Sequence, residues 1–564
     1  MSIPAVAEYG SFSETIGYLR PPPEVSAEFY AKAWWRHETV LHDVYGTAAI
    51  DHARPAFVLW QAAERRRLTV TYGQLVRHID RFAWALLSLG VRPGDPVAIQ
   101  LPTRWEAPAV ILACQRMGAV PVPISTTIRR RELEVVLRET QARMCLVPDS
   151  WDGFPHAEAL AGMAERLPWL RHRVVVGDAA ATGAIDFIEY FMRQPHEDRT
   201  GSGPARLTLD EPDRVSLVVF TAGTTGEAKG VLHSHNTFAS ATGRHAPESE
   251  RGWGAREVFG TPYGICDTMV LMYGVWGPLL SGGTGVLTDR WDPDVMLDLV
   301  DAAGVTQFAA APPQWAELVA AQRERPRSLA TLRLLLTTGS PIPAPLAEEI
   351  RSVFGLPLQV VWATTELGMG IRSRPGDPPE AVSRGEGAVI PGLQIDLEPV
   401  GKPTNGIYRL SGRGPSMCLG TWRRGEASPQ VSWEHEPPWL DTGDLVARVE
   451  PDRLRVVGRE ADRIGTSHMI PVNEVEAELM RYPAIQEVAV ISYLDPHNGE
   501  LPCAVIVPNG TPPTLTELRD YLTWLGMTDW YQPARLELIG QLPRNHAGKV
   551  RKDLLRRWLA DARG

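Results

Sequence analysis

The chain has 564 residues, several times the roughly 150 residues of a typical domain, so more than one folding unit is expected. Hydrophobic residues make up 44% and charged residues 22%, which excludes a disordered or low-complexity chain. Fifty-seven Lys and Arg against 67 Asp and Glu leave a net charge of -10, which argues against non-specific binding to nucleic acid or to an anionic membrane.

The opening MSIPAVAEYG has neither the basic nor the apolar region of a secretion signal, and no apolar run is long enough to span a bilayer. A cytoplasmic protein is expected. Five scattered cysteines, without a CxxC pair, read as reduced thiols rather than a disulfide or zinc framework. Forty-eight prolines and 50 glycines predict frequent turns and short helices.

In chain order, Thr71–Gly90 carries apolar residues at helical spacing, with Gly90 as its C-terminal cap. PGDPVAIQLP then reads as a short buried strand, Ala107–Met117 as a helix, and AVPVPI as a further strand. The alternation recurs at MCLVP, RVVVG, SLVVF, GVLTD, LRLLLTTG and LQVVWA, the sign of an α/β fold with parallel strands. From about Gly387 the strands GLQIDLEPV, GIYRLSG and DLVARVEPDRLRVVG predict a smaller β-rich unit. The last hundred residues predict a compact α+β tail: NEVEAELMRYPAI, the strands QEVAVISYL and LPCAVIVP, and the helix TLTELRDYLTWLG. The expected architecture is an α/β body of layered sheets and helices in several subdomains, followed by a small α+β tail, with the boundary near residue 460.

Chemistry concentrates after the strand Leu217–Phe220, in Thr221-Ala222-Gly223-Thr224-Thr225-Gly226-Glu227-Ala228-Lys229-Gly230. Glycines admit an anion close to the backbone, and successive N–H groups with Thr hydroxyls can wrap phosphate oxygens. The loop lacks the Walker A pattern. It resembles the phosphate loop of the adenylate-forming superfamily, the family of acyl-CoA synthetases, firefly luciferase and peptide-synthetase adenylation domains. Ala222 stands where that family has Ser, and Ala228 where it has Pro.

Further motifs match in the family's order. Trp362-Ala363-Thr364-Thr365-Glu366 resembles Tyr-Gly-x-Thr-Glu, in which Thr contacts the α-phosphate, Glu holds Mg²⁺ and the aromatic ring lies by the adenine. A carboxylate is a suitable hard ligand for that cation. Gly339-Ser340-Pro341 resembles the turn whose backbone runs along the adenine. Asp444, at the end of Trp439–Asp444, resembles the carboxylate that accepts both ribose hydroxyls, and Arg459 the hinge-adjacent arginine that reaches the ribose. Lys549, in Pro543–Arg551, resembles the lysine that bridges the substrate carboxylate and the α-phosphate. The resemblance runs from about residue 40 to residue 560, and it implies a large N-terminal adenylation domain, residues 1–458, a hinge at 459–463 and a small mobile C-terminal lid, residues 464–564. It implies ATP- and Mg²⁺-dependent conversion of a carboxylic acid to acyl-AMP, with Thr221, Glu366 and Lys549 catalytic.

The match fails after Arg459. The family's Gly-rich loop lines the pantetheine tunnel during thioester formation, but here Gly465-Thr466-Ser467-His468-Met469 lacks the Gly-Gly pair. Ile470-Pro471-Val472 resembles cyclohexanecarboxylate-CoA-ligase-like members. His468 and Met469 would narrow a pantetheine channel, so the expectation is that adenylation is kept and CoA thioesterification impaired, a partner completing the thioester. That partner is a second acyl-CoA ligase homologue or a carrier, as in the paired ligase homologues of platensimycin and platencin biosynthesis, whose adenylating member this chain resembles. A complete acyl-CoA ligase stays open as the alternative. For the acid, Tyr263, Gly264, Ile265, Gly368 and Met369 suggest a roomy apolar pocket, with Ile265 in the place of the family's His.

Overall fold

The computed structural model describes residues 12–17, 19–196, 211–222, 228–245, 254–262, 264–339, 342–374, 376–400, 406–423, 429–433, 438–450, 452–460, 464, 470, 472–495, 499–525, 527, 529–545 and 548–561. The helix expected at Thr71–Gly90 spans Tyr72–Ser88. Thr71 caps it reciprocally: its hydroxyl accepts from the Gln74 N–H at 3.2 Å, while Gln74 Oε1 accepts from the Thr71 N–H at 2.8 Å. Gly90 takes a φ of +78° just beyond the C-terminal end, a conformation open to glycine at little cost.

The short apolar runs of the first 200 residues form a five-stranded parallel sheet, ordered Val120–Pro123, Pro96–Ile99, Met144–Pro148, His172–Val176 and Ile185–Asp186. Such sheets are covered on both faces, which is why the strands read as unbroken apolar runs rather than alternating ones. A second, thirteen-stranded sheet is the largest in the body. Its parallel centre places Thr284–Thr288, Val258–Gly260, Gln307–Ala310, Leu334–Thr337 and Leu358–Thr364 side by side.

The β-rich stretch expected as a separate unit is continuous with this sheet. Leu358–Thr364 turns back into Gly368–Arg372, which pairs with Glu386–Val389, and that strand pairs with Arg453–Arg459. Leu440–Glu450, Ile407–Arg413 and Gln394–Pro399 complete the edge. The hairpin Val215–Ala222 with Ala228–Ser234 belongs to a separate four-stranded sheet. The tail folds as Ile485–Asp495, Gly499–Pro508 and Arg535–Leu538, with helices Val472–Leu479, Leu515–Trp524 and Lys552–Asp561 and a core of its own.

The longest helix among the described residues has 17 residues, in keeping with the turn-rich composition. All five cysteines are free thiols, four of them buried. No helix among the described residues is long and apolar enough to cross a membrane. The π-helical segment Val270–Trp276 packs against the strands Val258–Gly260 and Thr284–Thr288 and against the helix His235–Ala241. There Trp276 meets Phe238 of the helix His235–Ala241 edge-on, with ring centroids 5.0 Å apart at 80°. Such pairs contribute about 0.5–1.5 kcal/mol beyond their buried area.

Candidate active site

In sheets with parallel strands, ligands gather beyond the carboxyl ends of the strands. Leu358–Thr364 ends there, and the turn Thr364–Leu367 returns the chain antiparallel. The Leu367 N–H closes this turn on Thr364 Oγ1 at 3.1 Å. Three other segments pin it. His233 Nε2 donates to the Thr365 carbonyl at 2.7 Å, the Thr268 and Thr365 hydroxyls lie 2.9 Å apart, and the Cys418 N–H donates to the Glu366 carbonyl at 2.8 Å. His233 is fully buried and its pKa is pushed down to about 4 by that burial, so it serves as a neutral hydrogen-bonding post. The turn is therefore held in place before any ligand arrives.

Thr221 and Lys229 face each other in register across the hairpin, and Lys229 forms an ion pair with Glu366. Burial opposes ionisation of Glu366, but the Lys229 ammonium outweighs it and holds the carboxyl below its ordinary pKa. Glu366 is thus a ready anion at the phosphate end. Among the described residues no cluster of three His, Cys, Asp or Glu side chains could hold a metal. One carboxylate completed by phosphate oxygens is the arrangement Mg²⁺ accepts, so the donor set fits a Mg²⁺–nucleotide pair rather than a resident metal.

Beside this lies a second cluster. Asp444 is 4% exposed; its Oδ2 accepts from the Trp362 indole N–H at 2.8 Å and its Oδ1 faces Arg459 Nε at 3.0 Å. Asp444 and Arg459 are directly paired across neighbouring strands. Burial raises the Asp444 pKa against the opposing pull of Arg459. Each carboxylate oxygen has a further lone pair, so Asp444 can still accept a diol. Trp362, expected to lie by the adenine, also orients this carboxylate.

Lys549 comes from the tail. Its loop is closed by the Lys549 N–H donating to Asn545 Oδ1 at 2.9 Å and the Asn545 N–H donating to the Lys549 carbonyl at 2.8 Å. The Lys549 side chain passes close to Gly339: a Cβ built there would stand 3.9 Å from Lys549 Cε. Lys549 keeps access to solvent, yet the surrounding protein and then Arg459 lower its pKa, while Asp267, Asp444 and Glu366 work the other way. The fold thus brings Lys229 to Glu366, Trp362 and Arg459 to Asp444, and Lys549 to Gly339, with Thr221 opposite Lys229 and Ala363, Thr364 and Thr365 on the strand and turn that join Trp362 to Glu366. Gly223, Thr224, Thr225, Gly226, Ser340, Pro341 and Tyr263 lie outside the described residues, as does the loop 465–469.

The residues assigned to the acid divide. Gly264 is exposed beside Thr103 and Cys266, whereas Ile265 and Met369 are buried. Gly368 does not open a cavity. A Cβ there would stand 2.4 Å from Ala241 Cα, so its missing side chain serves close packing against the helix His235–Ala241. Three residues of the site were missed in the sequence: His233, Thr268 and Asp267. The HSH string and the charge of Asp267 were the available signals, but the residues they support lie far along the chain.

A model of the AMP-binding enzyme family matches residues 47–407, and one of the AMP-binding enzyme C-terminal domain matches residues 474–549. A salicylyl-CoA synthase / salicylate adenylyltransferase of a Streptomyces species is 31% identical over 498 residues, covering 86% of this chain and 88% of its own. The 2,3-dihydroxybenzoate-AMP ligase of Bacillus subtilis is 28% identical over 96% of this chain and 97% of its own. Among solved structures, the anthranilate CoA ligase AuaEII in complex with anthranoyl-AMP superposes with a TM-score of 0.78 at 23% identity, over 93% of this chain and 98% of that one. That likeness bears on the fold: an α/β body of sheets and helices with a small C-terminal domain.

Proposed function

The chain belongs to the AMP-binding enzyme family and is an acid-activating, adenylate-forming ligase; we propose that it converts a bulky hydrophobic carboxylic acid to its acyl-adenylate and passes that product on without efficient use of CoA. In the reaction a carboxylate oxygen attacks the α-phosphorus of ATP, the bond to the β-phosphate breaks, and pyrophosphate leaves. The observation that carries this reading is the convergence of Lys229, Glu366, Asp444, Arg459 and Lys549, drawn from distant parts of the chain.

Lys549 brings two anions together and offsets the charge that develops on the phosphoryl oxygens. Thr221, Thr224, Thr225 and Lys229 cradle the phosphates, with Gly223 and Gly226 giving close backbone approach. Glu366 would hold Mg²⁺, which when bound supplies positive charge to the phosphates. Asp444 and Arg459 hold the ribose, Trp362 and the turn Gly339–Pro341 flank the adenine, and Thr364 and Thr365 line the α-phosphate. Residues 464–564 act as a lid that turns about 459–463. Several relatives act on ring acids, which supports an aromatic or polycyclic substrate.

The restriction on CoA rests on the loop 464–469, where His468 and Met469 replace the glycines that a pantetheine arm needs. The acyl group then goes to a second ligase homologue or to a carrier. Mass spectrometry of products formed with Mg²⁺-ATP and an acid panel tests this. Acyl-AMP should accumulate to the same level with and without CoA, and replacing His468 and Met469 by glycine should raise acyl-CoA output at least about tenfold. Acyl-CoA formed by the unaltered enzyme at the rate of pyrophosphate release would establish a complete acyl-CoA ligase instead.

A further inference from the structure

The helix Pro23–Ala31 and the turn after it lie ahead of residue 47, where the family match begins, and they pack on the segment that carries Glu366. Proline opens the helix, where its missing N–H costs nothing, and Phe29 is its buried residue. Beyond Ala31 the chain turns inward. Ala33 takes a φ of +54°, and the Trp34 and Trp35 N–H groups both donate to the Phe29 carbonyl, at 3.0 and 3.2 Å. The left-handed conformation is unfavourable for alanine, so tertiary contacts must hold this turn.

Two anchors do so. Asn236, 2% exposed on the helix His235–Ala241, pairs with the backbone of Arg36: its Oδ1 accepts from the Arg36 N–H at 3.2 Å and its Nδ2 donates to the Arg36 carbonyl at 3.1 Å. Asp213 ties in the helix, accepting from the Tyr30 hydroxyl at 2.9 Å and from Asn236 Nδ2 at 2.8 Å. The second anchor is Trp35 itself, also 2% exposed. A buried indole N–H needs an acceptor, and this one donates to the Pro415 carbonyl at 2.8 Å, across 380 positions of chain.

Pro415 leads directly to Glu366. The Met417 N–H closes a turn on the Gly414 carbonyl at 3.1 Å, and the next N–H, that of Cys418, is the one that donates to the Glu366 carbonyl at 2.8 Å. Trp35 therefore fixes a carbonyl inside this turn, and the residue just after the turn holds Glu366. Packing runs the same way. Phe29 meets Trp35 and Trp433 edge-on, with ring centroids 5.0 and 6.2 Å apart, and their cluster includes Met417 and Leu367, with Trp362 packed against it. Trp362 and Leu367 bracket the segment that carries Glu366. We propose that Trp35 is a positioning residue for Glu366: by holding the Pro415 carbonyl it sets where the Glu366 carboxylate stands, and so how well Mg²⁺ fits beside the nucleotide. Glu366 also pairs with Lys229, so a slackened turn lets the carboxylate follow that long, flexible side chain instead. The inference rests on the reading of Glu366 given above.

The test measures ATP binding to the full-length enzyme by calorimetry, once with Mg²⁺ and once with EDTA. The ratio of the two dissociation constants is the benefit that the metal confers. Glu366→Gln should lower this ratio. Trp35→Phe keeps an aromatic ring and removes the N–H; it should lower the ratio about fivefold, the size of effect that loss of one buried hydrogen bond carries. In the Glu366→Gln background the same change should leave the ratio within about twofold, because Trp35 then has no carboxylate to place. Trp169→Phe is the control: it removes an indole N–H that donates to the Leu137 carbonyl at 3.0 Å elsewhere in the body, and should leave the ratio unaltered. Where Trp35→Phe does not fold, 3-benzothienylalanine at position 35 keeps the bicyclic shape, lacks the N–H and is read in the same way. A ratio unmoved by the change at Trp35, while Glu366→Gln lowers it, overturns this inference alone. So does a ratio that falls equally in both backgrounds, or as far in Trp169→Phe. A ratio unmoved by Glu366→Gln overturns the assignment of Glu366 and this inference together.

Discussion

Replacing Lys549 by alanine is expected to lower acyl-adenylate formation about a thousandfold while ATP affinity changes only a few-fold, because the lost charge acts mainly as the phosphorus becomes five-coordinate. Single-turnover measurement of acyl-AMP, beside calorimetric ATP binding, reads the two effects separately. The lysine also sets a pH limit. Its pKa is lowered from the ordinary 10.5 by the surrounding protein and then by Arg459. The reaction needs the cation, so raising the pH through this lowered value removes the charge and the activity, and lowering the pH leaves both. The alkaline limb of kcat/KM for adenylation should therefore fall below pH 10.5, and Lys549→Arg, which stays charged, should move it upward. Normal acyl-AMP formation by Lys549→Ala would remove the tail from the chemistry.

The second large effect is on stability. Gly368 has a φ of +63°, and a Cβ there would stand 2.4 Å from Ala241 Cα, 2.5 Å from Ala241 Cβ and 2.8 Å from the Ala241 carbonyl oxygen. The left-handed conformation costs a non-glycine residue about 1–2 kcal/mol, and overlap with a helix backbone adds about 1–3 kcal/mol more. Gly368→Ala should therefore destabilise the body by about 3 kcal/mol and displace the turn that carries Glu366. Gly46→Ala is the control. It lies inside the helix Val40–Ile50 with nothing within 4 Å of its added Cβ, so a gain of up to about 1 kcal/mol is expected. Thermal unfolding of both variants checks the pair: equal melting temperatures would contradict the packing described for Gly368.

Much of this molecule was legible in its sequence, for identifiable reasons. Thr71 and Gly90 bracket a helix by local chemistry, and the buried parallel strands announce themselves as short apolar runs between turn residues. The pairing of Glu386–Val389 with Arg453–Arg459 was not legible, because period-two alternation marks a strand without naming its partner. The β-rich stretch therefore looked like a unit of its own. Motif order picked out Trp362, Glu366, Asp444 and Lys549, since their residue types and sequence contexts are distinctive, and the fold brings these groups near one another. Gly368 was misread because a missing side chain can mean open space or close approach, and only its neighbour Ala241 separates the two. His233 and Thr268 escaped notice because their contribution is to hold the carbonyl and hydroxyl of Thr365, contacts that span 132 and 97 positions in the chain.

The central claim is that this chain joins an acid to AMP on its own, and isotope exchange between labelled pyrophosphate and ATP tests it most directly. With Mg²⁺ and a ring acid, label should enter ATP in the absence of CoA, at a rate that depends on the acid and on the metal. Exchange that proceeds without any acid, or that starts only when CoA is added, would contradict it.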